Sequence, residues 1–480
     1  MKTWPQRLRV STMALAAMVA APVHAAEVAR SDDGAVVLEA GGFYKSSGSV
    51  LALPPSLIEA TTELGTLLDE TRAQLPPELQ GSVPFVETPP ALVGLATHTA
   101  RLQASLALWP SEPSTLRLEV AWQVAAVMAT SAAFASSTQA GVLGSALVTP
   151  ARRLIDFDPF LVEDGGLRLQ HTLDRLSLTW QTPHFGVVVG RQALSWGTGR
   201  LWNPTDLLSP FAPTDVDREV RRGFDAVRLT LPVGAVSGFE LMWLPQPTLN
   251  AQGFVVRGRT NVASWDVSAM TAKIVDDLVL GAEIAGDLGP LGVHGEVAWT
   301  LPMVGTDNGA GGETAIEDDF VRAVVGIEGR PAEAWVLGAE LHYNGFGSDD
   351  VEDIVGRLRD PRVVRGEVFG AGQLYLGVLA SWLASDLVSC GASLLVNVND
   401  PSALLLPSVE WWVEQRVLLR AAGYLPLGAG VDVDAFRTLE PADVLTSSDA
   451  FQKVTSSFGA QSEYGLTPAG AFVQLVVSFD

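Results

Sequence analysis

The stretch GRQALSWGTGRLWNPTDLLSP, Gly190 to Pro210, carries the spacing in this chain that most resembles a phosphate-binding loop. Gly197 and Gly199 could bring backbone N–H groups close to a phosphate. A dinucleotide fingerprint, however, needs a third glycine that opens a helix within a βαβ unit, and this stretch contains neither. It begins like a strand and ends in the turn sequence Asn203-Pro204-Thr205-Asp206, so we interpret it as a strand end followed by a long loop.

The histidines offer little support for catalysis. The chain has six, and it contains neither an H-E-x-x-H motif nor a nucleophile elbow. His171 and Ser177 fall on the same face of one predicted strand, but about 20 Å apart at roughly 3.3 Å per residue, which is too far for proton transfer. A surface hydrolase remains the third hypothesis, and loss of activity on changing His294 or His342 would support it.

Composition places the chain among exported proteins. Residues 1–25 look like a secretory signal peptide, with Lys2, Arg7 and Arg9 ahead of a short apolar run and Val23-His24-Ala25 at the cleavage site. A retained membrane anchor is the alternative, although the apolar run is shorter than the ~20 residues of a spanning helix. Removing them takes the formal net charge from −23 to −26, which disfavours nucleic acid as a partner. Cys390 is the single cysteine, so no intramolecular disulfide can form. The mean hydropathy of +0.25 is high for a secreted soluble chain.

Alternation of apolar and polar residues with a period of two dominates the sequence. In VHGEVAWTL (293–301) and WVLGAELHYN (335–344), every second residue is apolar and the residues between them are mostly polar or small. Such segments run for about ten residues, the length that crosses a bilayer as a tilted strand. A large soluble β-sandwich or β-propeller is the alternative, since each single segment is a weak signal.

The spacing of these segments predicts an antiparallel all-β transmembrane barrel of about 18 strands (16–18), formed by residues 26–480 as one domain. The long links at 46–97, 130–166, 196–222, 302–319, 345–370 and 428–467 all follow odd-numbered strands. Short turns on one side and long loops on the other, with both termini in the periplasm, are typical of outer-membrane barrels. We predict strand starts near residues 36, 98, 115, 168, 185, 223, 237, 253, 264, 277, 291, 320, 334, 371, 388, 403, 417 and 468.

Two features resemble bacterial outer-membrane β-barrel proteins. The last predicted strand, GAFVQLVVSFD, ends on an aromatic residue, although Asp480 follows Phe479 where such proteins usually stop. The strand end GRQ…WG.G, a long loop containing Pro and Asp, and then RRGFDAVRL are similar to porin-like and alginate-export-type barrels. The resemblance implies a location in the cell outer membrane, contact with membrane lipid and lipopolysaccharide, and insertion by the barrel-assembly machinery.

Polar positions of the alternating segments would face the lumen. The predicted pore-lining residues are Arg101, Arg117, Glu119, Arg175, Arg228, Glu240, Glu283, His294, Glu296, Glu340, His342, Glu410, Glu414 and Arg420, together with Gln103. Arginines dominate the first half of the barrel and carboxylates the second, so we expect a field across the pore and a weak cation preference.

The long loop after strand five and the first long link carry the structural candidates. The constriction-loop candidates are Arg191, Arg200, Asp206, Asp215, Arg221 and Arg222, with an ordinary solvated loop as the alternative. The first link contains the one good helical segment, at about 56–75, with Ser56 and Glu59 as an expected capping box. This helix would act as a plug or gate, or lie at the outer rim or in the periplasm.

We expect a channel that passes small polar solutes, or a secreted polymer, by passive or facilitated diffusion, with no cofactor, no metal site, no catalytic residue and no enzymatic activity. The alternative is a non-conducting barrel that acts as a surface or assembly scaffold. Acidic runs at 155–166, 307–319 and 347–356 are expected to be solvated loops, since none has the ligand spacing of an EF-hand; adventitious Ca²⁺ binding is the alternative. The solute, the direction of transport and the oligomeric state do not follow from the sequence.

Overall fold

The strands form one continuous antiparallel sheet. The computed structural model describes residues 26–111, 113–130, 153–155, 160–164, 166–249, 251–275, 277–303 and 318–479. The expected signal peptide (1–25) and most of the acidic run 307–319 lie outside these residues. The strands are β1 (Ala26–Arg30), β2 (Val36–Ala52), β3 (Leu92–Ser111), β4 (Ser114–Ala129), β5 (Phe160–Asp164), β6 (Leu167–Gln181), β7 (Gly186–Gln192), β8 (Phe224–Val233), β9 (Ser237–Leu244), β10 (Gly253–Val262), β11 (Trp265–Ile274), β12 (Asp277–Leu288), β13 (Leu291–Pro302), β14 (Phe320–Ala332), β15 (Trp335–Asn344), β16 (Leu374–Ser385), β17 (Val388–Asn397), β18 (Ser402–Glu414), β19 (Val417–Leu427) and β20 (Ala469–Phe479).

Closure of the sheet makes it a barrel. The last strand, β20, pairs with β2 from Gly42↔Phe479 to Ala52↔Ala469, so neither strand is left as a free edge there. The two short strands β1 and β5 pair with only the first residues of β2 and β6, while β4 pairs directly with β6. The ring therefore contains 18 strands, and the predicted closed antiparallel barrel is confirmed.

The two faces of the wall follow the alternation of the sequence. On β12, the inward residues Val279 and Glu283 are buried, whereas Leu280 and Ile284 between them point outward and are exposed. A soluble sheet would cover such apolar residues with a second layer. Here they form the outer surface around the ring, which is how a barrel meets hydrocarbon.

Tryptophans lie near both ends of the outer surface. At the end with tight turns, Trp335 stacks on Trp382 across β15 and β16, with 5.7 Å between ring centroids. At the other end, the Trp299 indole N–H donates to the Asp319 carboxylate at 2.6 Å. An apolar band between two aromatic girdles matches the outer surface of a membrane-inserted barrel.

The predicted strand starts are confirmed to within a few residues, with one correction at the beginning. β2 continues to Ala52 and β3 begins at Leu92, so the first long link spans 53–91 rather than 46–97. The serine- and glycine-rich end of β2, KSSGSVLA, has weak alternation and does not look like a strand. Its pairing with both β3 and β20 makes it one.

The long connections leave the same end of the barrel, and within the described residues three of them carry helices. These helices are α1 (Pro55–Gln74), α2 (Ile354–Arg359), α3 (Pro361–Val364), α4 (Val433–Arg437), α5 (Pro441–Thr446) and α6 (Asp449–Ser457), with 3-10 turns at Gln80–Ser82, Val351–Asp353 and Tyr464–Leu466. Among the described residues, none of these helices combines the length and apolarity needed to span a membrane.

Helix α1 packs on the connection 428–468 and not inside the wall. Its buried residues Leu64 and Leu68 contact Phe436 in one apolar cluster. The expected capping box is wrong, because Pro54 is the N-cap and makes no side-chain cap. Ser56 instead accepts a hydrogen bond from the Val431 N–H at 3.0 Å, and Glu59 pairs with Arg437. The helix is therefore part of a cap over one side of the barrel mouth.

Candidate functional site

The connection 193–223 between β7 and β8 enters the barrel and crosses to the opposite wall. Its first half contacts β9 and β12–β16, and its second half contacts β2, β19 and β20. We call this segment the inner loop. No other connection among the described residues makes hydrogen bonds to so many strands, which makes the inner loop the candidate functional element.

Two wall carboxylates hold the first half of the inner loop by its backbone. Glu340 on β15 accepts the N–H groups of Arg200, Leu201 (3.0 Å) and Trp202 (3.2 Å). Glu296 on β13 accepts the N–H groups of Thr198, Gly199 (2.9 Å) and Thr205 (3.2 Å). Hydrogen bonds between backbone N–H groups and a carboxylate are charge-assisted and strong, so these contacts fix the position of the loop. They also give the two buried carboxylates hydrogen-bond donors, without which their burial would be costly.

Side chains of the inner loop add a salt bridge and a stack on the same wall. The Arg200 guanidinium donates to the Glu328 carboxylate through two nitrogens, at 2.7 and 2.6 Å. The Trp202 ring stacks on His342 at 5.2 Å between centroids and lies 5.9 Å from the Tyr375 ring. Trp202 is thereby buried inside the barrel, unlike the tryptophans of the outer girdles.

The second half of the inner loop is held by cations of the first and last strands. The Lys45 ammonium on β2 lies 2.6 Å from Asp217 and 2.8 Å from Glu219. Arg420 on β19 pairs with Glu219 at 2.9 Å and with Glu410 of the neighbouring strand at 2.6 Å. Ion pairs to both sides of the point where the barrel closes therefore hold the end of the loop.

The wall nearest the origin of the loop is rich in arginine. Asp174 on β6 pairs with Arg101 at 2.7 Å and Arg175 at 2.5 Å, and Arg153 lies 3.7 Å away. Arg191 at the end of β7 pairs with Asp225 at 2.8 Å. Asp174 and Asp225 therefore each pair with arginines of this side of the lumen.

The predicted pore-lining residues fall into three groups by exposure. The exposed ones lie on strand ends near the tight turns. The buried ones are Arg101, Arg175, Glu283, His294, Glu296, Glu340, His342 and Arg420; the half-buried ones are Arg228, Glu240, Glu410 and Gln103; the exposed ones are Arg117, Glu119 and Glu414. That these residues line a conducting pore stays a prediction.

Five of the six constriction-loop candidates belong to the inner loop: Arg200, Asp206, Asp215, Arg221 and Arg222. Arg191 lies instead in strand β7, which ends one residue after it. Asp206 pairs with Arg221, and burial raises the pKa of the Asp206 carboxyl to about 6 despite that neighbour. Burial also lowers the pKa of Arg222 to about 10. Whether the loop narrows a conducting path stays a prediction.

Asp174 is the most important wall residue that the sequence pattern missed. Strict alternation places Asp174, which follows Leu173 in the sequence, on the outward face of β6, and this face meets lipid. The pairing of β4 with β6 slips between Ala121 and Trp122, so Asp174 is the extra residue of a β-bulge and turns inward. The signal was the residue type itself, because a carboxylate on a lipid-facing position is costly. Lys45, Arg257, Glu328 and Gln474 were also missed.

The acidic run at 347–356 has a local structural role. Asp350 accepts a hydrogen bond from the Glu352 N–H at 2.9 Å and so caps a 3-10 turn. The described residues contain no cluster of three or more His, Cys, Asp or Glu side chains that could hold a metal ion.

A cavity of about 800 Å³ lies between the inner loop and the connections 345–373 and 428–468. Its floor includes Trp202 and Tyr375, and its wall includes the end of β2 at Leu51. Glu463 ties the two outer connections together, accepting the Ala371 N–H at 3.0 Å and the Asn397 amide at 2.9 Å. The cavity therefore lies between elements that are bonded to one another.

Comparisons with known proteins give structural neighbours only. No protein-family model and no curated protein matches the chain. It is similar to solved structures of mutants of the Rh. blastica porin: one at 9% identity and a TM-score of 0.38, and another at 10% identity and 0.39. A triple mutant of the Rhodopseudomonas blastica porin matches at 9% and 0.38. Each match covers 92% of this chain and 100% of the other chain. What the barrel does must be inferred from its own wall and loops.

Proposed function

We propose that the protein is an outer-membrane channel whose inner loop sets the width of the path for small polar solutes or a secreted polymer. The observation that carries this proposal is a polar-lined barrel of 18 strands with one loop docked across its interior. Charged and polar rings inside a barrel select solutes by size and charge, with no covalent chemistry. The barrel is therefore a conduit without a cofactor.

Single-channel recording tests the proposal. Purified protein inserted into a planar bilayer should give discrete conductance steps of uniform size, because one fold gives one path. Trp299→Phe changes only the outer girdle and serves as the matched control, with unchanged step size expected. Insertion verified by protease protection, with no steps at any voltage, would contradict a channel.

A non-conducting scaffold is the second candidate, and the burial of eight predicted lining residues favours it. The inner loop covers Glu296 and Glu340, which an open pore would leave in water. Under this alternative the same recording stays flat, and the caps built by 53–91 and 428–468 would present a binding surface outside the cell.

A surface hydrolase receives little support. The His294 ring N–H donates to the Glu340 carboxylate at 3.0 Å, and His342 stacks on Trp202; both histidines are buried. A substrate in water would not reach either ring. An ester-hydrolase activity that His294→Ala or His342→Ala abolishes, while the barrel stays folded, would reverse this view.

Location in the outer membrane, contact with lipopolysaccharide and insertion by the barrel-assembly machinery belong to the same proposal. Phe479 supports it, because the residue lies outward on the closing strand β20 and pairs with Gly42 of β2. Phe479→Ala should lower the amount of protein in the outer-membrane fraction of a sucrose gradient. Val473→Ala, another outward residue of the same strand, is the control and should have a smaller effect.

A further inference from the structure

The cavity at the loop-bearing end of the barrel has the form of a small-molecule site. Its volume of about 800 Å³ lies within the range of known ligand pockets, roughly 300–1,000 Å³. The inner loop forms its floor, helices α2 and α3 form one side, and the connection 428–468 closes the other. The site is therefore built from three connections that meet above the barrel interior.

Most of the lining is apolar. Leu208 and Phe211 come from the inner loop, Val363 and Phe369 from the connection 345–373, and Leu466 from the connection 428–468. These side chains are only half-buried, although they lie between packed elements. Covering them with an apolar molecule would remove apolar surface from water, which favours binding.

The charged residues of the lining are four arginines and three acidic residues, in a chain that is otherwise strongly acidic: Arg221, Arg222, Arg359 and Arg365 with Asp215, Glu367 and Glu463. Arg221 pairs with Asp206, and Arg365 pairs with Glu367 at 2.9 Å. Arg222 makes no hydrogen bond or ion pair within the part of the chain that the structure describes. Asp215 and Asp174 act on it only from a distance. The side chain is half-buried at the cavity, so a bound anion would give the guanidinium an acceptor.

The environment of Arg222 reinforces this preference for an anion. The side chain adjoins the arginine-rich wall, and the charge of Arg222 is felt at Arg153. Burial lowers the pKa of Arg222 to about 10, so the group remains charged at neutral pH. A carboxylate matches the planar guanidinium and accepts two parallel hydrogen bonds from it.

We propose that this cavity binds an apolar molecule that carries one carboxylate, such as a medium-chain fatty acid, with the carboxylate at Arg222 and the chain against Leu208, Phe211 and Phe369. The site stands whether or not the barrel conducts, since it needs only the docked loop and its two neighbouring connections. The proposal goes beyond the passage of polar solutes, because it assigns a class of ligand to the cavity at the loop-bearing end of the barrel.

Equilibrium binding of radiolabelled decanoate to the full chain in lipid nanodiscs tests the site, with empty nanodiscs subtracted. Wild-type protein should bind decanoate saturably, and decyltrimethylammonium should not compete. Arg222→Gln should weaken decanoate binding about tenfold or more, while binding of decanol stays within a few-fold of wild type. Arg330→Gln, at a tight turn of the opposite end, should leave both ligands unaffected.

A second variant keeps the proposal testable if Arg222→Gln fails to fold. Val364→Trp fills the cavity from a partly exposed position, and it should weaken decanoate and decanol binding together. Absence of saturable decanoate binding, or equal decanoate affinity in wild type and folded Arg222→Gln, overturns the proposal. Flat bilayer recordings with intact decanoate binding would reject the channel and leave the site standing.

Discussion

Two regions of the barrel wall, opposite each other in the ring, are neutralised in different ways. The acidic wall, β12–β15, carries Glu283, Glu296, Glu328 and Glu340. The basic wall, β3–β8, carries Arg101, Arg175 and Arg191. On the acidic wall, backbone N–H groups and Arg200 of the inner loop meet the carboxylates. On the basic wall, aspartates of the wall itself pair with the arginines.

The difference follows from what each side chain can accept. A carboxylate accepts hydrogen bonds, so it can bind any backbone segment that presents N–H groups, and the inner loop presents six of them. A guanidinium only donates and needs an acceptor of its own. The first half of the loop therefore docks on the acidic wall through its N–H groups, whereas Arg175 of the basic wall donates to the Arg221 carbonyl at the end of the loop.

The largest effect expected from breaking this arrangement is on the basic wall. Asp174→Asn would leave Arg101 and Arg175 buried beside a neutral amide. Breaking a buried pair by removing one partner costs about 3–5 kcal/mol. We expect the free energy of unfolding to fall by that amount, measured by urea unfolding in lipid with tryptophan fluorescence.

Asp266→Asn is the matched control for Asp174→Asn, because Asp266 lies on β11 near a tight turn and bonds to Asn261 at 2.8 Å. Its effect should stay below about 1 kcal/mol. If the two variants unfold alike, the buried aspartate does not hold the basic wall together.

The next effect concerns the acidic wall. In Glu340→Gln, one amide oxygen replaces a carboxylate that accepts three loop N–H groups, and the new NH₂ group faces donors. The loss should be about 1–3 kcal/mol, expressed as release of the inner loop and not of the barrel. Limited trypsin cleavage at Arg218 and Arg221 should become faster.

Glu333→Gln, at an exposed tight turn of the opposite end, controls for the loss of one negative charge and should cleave like wild type. Bilayer recordings of Glu340→Gln should gain brief steps of larger conductance as the loop leaves the wall. Unchanged cleavage and unchanged steps would mean that the carboxylate does not hold the loop.

The two walls also differ in how far the sequence predicts them. The alternation in VHGEVAWTL and WVLGAELHYN places His294, Glu296, Glu340 and His342 inward, because one face of a lipid-exposed strand must be apolar. This reasoning needs only neighbours in sequence. It gives the strands, their faces and the side of the long loops.

Contacts between distant segments could not be predicted in this way. The inward turn of Asp174 depends on a bulge in the pairing with β4, and the anchoring of the inner loop depends on Glu340, 138–140 residues away from its donors. Helix α1 was predicted from its own pattern, but its position beside α4 depends on contacts with the last long connection.

The pH dependence of loop docking is a smaller effect. Burial raises the pKa of Asp206 to about 6, with Arg221 lowering it and Glu296 raising it further. The undocked carboxyl has the ordinary value near 4, so docking takes up a proton. This contribution to docking is complete below about pH 4 and is lost as the pH rises through 6.

Trypsin cleavage of the inner loop, corrected for the intrinsic activity of trypsin at each pH, should therefore be slower at pH 5 than at pH 7.5, by up to about tenfold. Asp206→Asn removes the titrating group and should give the same corrected rate at both pH values. Faster cleavage of the wild type at pH 5 would show that its pairing with Arg221 outweighs burial.

The smallest effect is on ion selectivity, where the two walls oppose each other. The acidic wall is covered by the loop, so the exposed charges near the tight turns should contribute most to a weak cation preference.

Arg117→Gln removes a guanidinium that lies 2.6 Å from the Glu39 carboxylate and frees that carboxylate. The reversal potential under a salt gradient should shift by a few millivolts in the cation direction, and less at high salt, because exposed charges are screened. Glu414→Gln, at the same end, should shift it the opposite way. A clear anion preference of the wild type would mean that the arginines of the basic wall, and not the exposed charges near the tight turns, control the path.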